Sequence, residues 1–130
     1  MDPSLRLTFK SWEVDVQMLE PTIVELVYRG DVPADAIKQV SHELKALLRG
    51  RKNVTGWLVD AMEMKQMTLA PSDAMLEVFE LWKGHGGKRF AMATQLAMAK
   101  MLGTALRFSK VIPLEICGSR AAAIAYLKGA

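Results

Sequence analysis

The sequence predicts one α/β domain on a five-stranded mixed, mostly parallel sheet, with elements in the order β-β-α-β-α-β-α-β-α. Three observations predict it. Two β-like segments near the start, Trp12–Met18 and Thr22–Tyr28, are close enough to pair as a hairpin. Beyond them, apolar runs alternate with segments of helical period, and that alternation implies parallel strands with helices packed on the sheet. The chain has 130 residues, 51% of them hydrophobic, which suits one domain with a core of its own.

Each element has its own signal. Residues 1–10 are mixed and read as a loosely held lead-in to a domain over 11–130. Trp12-Glu13-Val14-Asp15-Val16-Gln17-Met18 alternates apolar and polar, the period of a half-buried strand. Glu20-Pro21 punctuates it, and Thr22-Ile23-Val24-Glu25-Leu26-Val27-Tyr28 is a second strand rich in β-branched residues. Arg29-Gly30-Asp31 reads as a turn. Pro33 suits the first turn of a helix, with Asp31 or Asp35 placing negative charge at its start. Ile37, Val40, Leu44, Leu47 and Leu48 then form one apolar face ending at Gly50. Val54 to Asp60 is an apolar run without alternation, a strand covered on both sides. A loop holding Met62, Met64 and Met67 follows. A second helix starts near Pro71, with Met75, Val78, Phe79 and Trp82 as its core stripe, and Gly84-His85-Gly86-Gly87 stops it. Lys88–Thr94 is a fourth strand, 95–108 a third helix, and Val111–Cys117 a fifth strand. Ser119 caps the last helix.

Composition excludes several classes. A net charge of +3 is mild, and the basic residues are spread along the chain without the concentrated face and stacking aromatics of a nucleic-acid binder. The one cysteine, Cys117, permits no internal disulfide and reads as a small residue packed at a strand end. No apolar run is long enough to span a membrane, and the N-terminus lacks the pattern of a secretory signal, so a cytoplasmic protein without membrane contact is expected. His42 and His85 lack metal-ligand spacing, and neither a metal nor another cofactor is expected. The glycine-rich loop at 84–87 lies between a helix and a strand, the wrong polarity for a phosphate cradle. Asp60 and Glu63 sit where α/β enzymes place carboxylates, yet no nucleophile, base or oxyanion motif accompanies them. No catalytic residue is assigned.

What remains is an apolar surplus. There are nine methionines, and the helix at 95–108 is apolar on more than one face, which points to a partner or a homodimer. As the alternative, an apolar cleft lined by methionines beneath the second and third helices would suit a small apolar ligand or lipid.

Element order, size and four local patterns together resemble the STAS-domain superfamily, which includes the bacterial anti-sigma-factor antagonists. The patterns are Leu26-Val27-Tyr28-Arg29-Gly30-Asp31 leading into a helix; Trp57-Leu58-Val59-Asp60; a helix ending in Gly-Gly before Arg89-Phe90-Ala91-Met92-Ala93; and a final strand followed by an Ala-rich helix. They cover about residues 11–128. In that family the loop after the Asp-ending strand carries a motif close to Asp-Ser-Ser-Gly, whose serine is phosphorylated to switch partner binding. The matching stretch here is Met67-Thr68-Leu69-Ala70-Pro71-Ser72-Asp73, a degenerate version in which the family serines fall near Leu69 and Ala70. The resemblance implies a non-catalytic regulatory module in a bacterial signalling pathway, bound by another protein such as a kinase or an anti-sigma-like regulator. Met64, Met67, Thr68, Leu69, Ser72, Met98 and Met101 are the expected partner-binding residues, with Ser72 and Thr68 as the candidate phosphorylation sites.

Overall fold

The computed structural model of the chain describes residues 4–68, 72–97, 99–101, 104 and 113–129. Its strands and helices are β1 (Ser4–Thr8), β2 (Trp12–Glu20), β3 (Ile23–Val32), α1 (Ala36–Leu47), β4 (Gly56–Met67), α2 (Ser72–Gly84), β5 (Arg89–Ala93), β6 (Leu114–Cys117) and α3 (Arg120–Leu127). Residues 97 and 99–101 are also helical, between β5 and β6.

Among the described residues six strands, not five, form one sheet in the simple order β1-β2-β3-β4-β5-β6. The first three are antiparallel to one another, and β3 to β6 run parallel. The added strand is the lead-in: Leu5 pairs with Val16 and Leu7 with Val14. Its own period-two pattern, Ser4-Leu5-Arg6-Leu7-Thr8, was the signal in the sequence, and pairing to β2 gives its backbone groups partners.

Two further boundaries move. Arg29-Gly30-Asp31 is not a turn but a bulged stretch inside β3, with Gly30 opposite Trp12 and Met64. Gly30 has φ +88°, and a Cβ there would lie 2.5 Å from the Ser11 carbonyl oxygen, so glycine alone fits the bulge. The stretch holding Met62, Met64 and Met67 is not a loop but the second half of β4, paired with β3 as far as Val32 opposite Met67.

Alternation then sorts the side chains. On one face, Val14, Val16, Val24, Leu26, Tyr28, Trp57, Phe90, Met92 and Leu114 pack under α1, α2 and Ala99. On the other, Leu58, Ala91 and Ala93 pack under Ala123 of α3. Small residues at positions 91, 93 and 123 let α3 lie close to the sheet. Aromatic edges fix α2: the Trp82 ring meets Trp57 at 5.9 Å and Phe90 at 5.8 Å, and its indole N–H donates to the Val54 carbonyl at 3.0 Å. The loop after α2 is a helix stop, as its glycines suggested; the His85 carbonyl accepts from Val54 N–H at 2.9 Å. Ser119 caps α3, its Oγ accepting from Ala122 N–H at 3.2 Å. No described helix is long and apolar enough to cross a membrane.

An apolar cavity at the ends of β3 and β4

One face of the sheet carries a ladder of ion pairs. Asp15 on β2 accepts from Arg6 at 2.6 Å and from Arg29 at 2.6 Å, and Arg29 also reaches Glu63 at 2.7 Å. Arg6 first, then Arg29, holds the Asp15 carboxyl below the usual carboxylate range against an opposing effect of burial. Beside this ladder, Glu25 is buried and bound by Arg120 Nε at 2.6 Å and by the Gln17 amide at 2.8 Å.

The opposite face holds a cavity of about 70 Å³. Its floor is sheet: Leu26, Tyr28 and Val32 from β3, Trp57, Val59 and Ala61 from β4, Phe90 and Met92 from β5. Its roof is helix: Ile37, Val40, Ser41 and Leu44 of α1, Val78 and Phe79 of α2, and Ala99. Pro33, Met64, Met67 and Thr68 close the end where β3 and β4 finish, and Thr68 N–H donates to the Val32 carbonyl at 2.9 Å to tie the two strand ends together. Hydrocarbon, thioether and aromatic carbon make up nearly all of this lining.

Three lining side chains carry hydroxyls. Thr68 is exposed at the rim. Tyr28 is buried, and burial pushes its phenol above the usual range, so it stays neutral. Ser41 is 5% exposed, and its Oγ has no hydrogen-bond partner among the described residues. Neither Tyr28 nor Ser41 was singled out in the sequence. A signal for Ser41 was there: it is a polar residue on the apolar stripe of α1, four after Ile37 and three before Leu44.

Of the residues expected to meet a partner, Met64, Met67 and Thr68 come together in one cavity wall. Met101 does not join them; it is 64% exposed on the helical segment after β5. Leu69 and Met98 lie outside the described residues, and Ser72 opens α2. Asp60 and Glu63 do not line the cavity. Asp60 is buried on the other face, accepting from Met62 N–H at 3.0 Å, and Glu63 is held by Arg29. His42 is exposed, and His85 Nδ1 donates to the Arg51 carbonyl. Among the described residues no three metal-ligating side chains converge.

A solved structure from Shewanella loihica PV-4 aligns with 98% of this chain and 98% of its own, at a TM-score of 0.58 and 15% identity. It is described as an uncharacterized protein from the DUF3478 family with a SpoIIAA-like fold. The fold of this chain is SpoIIAA-like. That is the fold of STAS domains and anti-sigma-factor antagonists, which the sequence resemblance implied. No family model and no curated protein matches the chain. Within the SpoIIAA-like fold, the stretch matched to the phosphorylated loop starts at the cavity rim, with Met67 and Thr68 in the lining.

Proposed function

We propose that this chain is a non-catalytic binding domain whose site is the apolar cavity between the sheet and α1 and α2, and that it takes a small apolar ligand. The observation that carries this reading is the cavity itself, about 70 Å³ of space walled by Leu26, Trp57, Phe79, Phe90, Met64 and Met67. Interiors close-pack, so space of this size is uncommon in a domain of this length, and an apolar void is poor ground for water, which needs two to four polar partners. Methionines at the rim supply walls that adapt to an occupant. From the residues alone a protein partner ranked first; the cavity reverses that order.

Native mass spectrometry of the protein purified from its own host tests the reading. A bound small molecule is expected, and Ala61→Met, which fills the cavity from β4, should expel it. A bare mass from gently prepared wild-type protein, together with unchanged tryptophan fluorescence on addition of apolar probes, would remove the reading.

A second reading keeps the regulatory protein-interaction module, cytoplasmic and bound by a kinase or an anti-sigma-like regulator. Exposed Met101 and Leu76 favour it, as does exposed Thr68 beside the cavity. It predicts that Met67→Asp or Ser72→Glu weakens capture of one dominant partner from native lysate.

A further inference from the structure

We infer that the ligand of this cavity carries one uncharged hydrogen-bonding group, and that Ser41 Oγ is its partner. This rests on the reading of the cavity as a ligand site and names the chemistry of the occupant.

Ser41 sits mid-helix in α1, where a serine ordinarily folds its hydroxyl back onto the carbonyl four residues before it. The Ile37 carbonyl is that acceptor, and the bond is not made. The hydroxyl instead lines the cavity, is 5% exposed as a residue, and has no partner among the described residues. An unpaired buried hydroxyl is costly, and native proteins seldom keep one without a use. Alanine would suit the same helical position at no such cost.

The remaining lining restricts what the group can be. Among the described lining residues none is charged; the side chains with polar atoms are Ser41, Tyr28, Thr68 and, through its indole N–H, Trp57. Arg6 and Arg29 of the sheet and Arg120 of α3 bond to carboxylates of the opposite face. A carboxylate or ammonium placed beside Ser41 would therefore lose its water with no counter-charge in return. A neutral hydroxyl or carbonyl loses far less and gains the Ser41 bond. The occupant so defined is a short, mainly hydrocarbon molecule with one neutral polar group, such as an alcohol, a ketone or an ester, its chain lying among Leu26, Trp57, Phe90 and the methionines.

A matched series tests this: n-hexane, 1-hexanol and hexanoate, titrated into wild type and Ser41→Ala at pH 7, read by tryptophan fluorescence and ligand-observed NMR. Wild type is expected to bind 1-hexanol about two- to tenfold more tightly than n-hexane, the worth of one neutral hydrogen bond. Hexanoate should bind more weakly than either. Ser41→Ala should reduce 1-hexanol to the affinity of n-hexane or below it, since its hydroxyl is then buried without that partner, and leave n-hexane unchanged. Equal binding of 1-hexanol and n-hexane by wild type, unaltered 1-hexanol binding by Ser41→Ala, or preferred hexanoate would overturn the assignment to Ser41 while leaving the cavity as a site. Failure of all three probes to bind would overturn the ligand reading itself.

Discussion

Arg120, in the first turn of α3, reaches across the sheet face to Glu25 of β3, Nε to Oε2 at 2.6 Å and a second guanidinium nitrogen to Oε1 at 3.2 Å. Residues 95 positions apart in the chain are thereby joined, and the last helix is fastened at its start. Its far end is fastened separately, by Arg89 donating to the Tyr126 carbonyl at 2.8 Å and by Lys128 beside Glu20 at 2.7 Å.

Removing one member of this pair leaves a carboxylate that is 1% exposed with the Gln17 amide as its remaining side-chain donor. Arg120→Ala should therefore destabilise the fold. Because the arginine side chain is 44% exposed and water can reach the gap, the loss should be about 1–3 kcal/mol, below that of a fully buried pair. The pair of changes Glu25→Leu and Arg120→Met should recover most of it, since hydrocarbon can replace a buried ion pair. Urea unfolding of the two single variants and the double variant measures this. Additive losses would show that the two residues do not act as a pair.

Tyr28 predicts an alkaline limit. Its phenol is raised by burial, so the folded protein holds that proton at pH values where the unfolded chain, with a phenol pKa near 10, releases it. The unfolded state then binds fewer protons than the native state, and stability falls as pH rises. The contribution is complete below pH ~10 and declines above it by up to ~1.4 kcal/mol per pH unit. Tyr28→Phe keeps the ring stacked on Trp12 and abolishes the ionisation. Unfolding midpoints at pH 8, 9.5 and 10.5 should fall more steeply for wild type than for Tyr28→Phe; parallel declines would contradict the burial of the hydroxyl.

The end of α2 and the loop after it offer two glycines with opposite expectations. A Cβ on Gly87 would lie 2.4 Å from the Trp82 ring, which is itself pinned between Trp57, Phe90 and the Val54 carbonyl. Gly87→Ala should cost at least ~2 kcal/mol through overpacking. A Cβ on Gly84 meets nothing within 4 Å, and Gly84 ends a helix, so Gly84→Ala should be neutral or stabilise by ~0.5–1 kcal/mol. Thermal melting of the two variants side by side checks the contrast.

Several elements were legible in the sequence because their signals are local. The alternation at 12–18, the apolar stripe of α1, the glycine stop at 84–87 and the Ser119 cap each depend on neighbours within a turn or a pleat. β1 was as legible, since Leu5 and Leu7 alternate with Arg6, but five residues carry little weight until a partner strand is known. The bulge at Gly30 and the length of β4 were not legible. Both depend on register: Gly30 reads as a turn residue until Trp12 and Met64 are seen beside it, and the methionines of 62–67 read as a loop until β3 is seen to run on to Val32.

By itself, then, the sequence determined the class of fold, the order of most elements and which residues are apolar, because periodicity and capping are set by nearest neighbours. Tertiary structure alone decided where the apolar surplus goes. Met64 and Met67 became a cavity wall and Met101 an exposed side chain, a difference that composition cannot express. It also decided that Ser41 and Tyr28, from separate elements, face the same space. A cavity is what remains when helices and sheet have settled against one another, so its shape and the polar atoms left unpaired within it exist only once every element is in place.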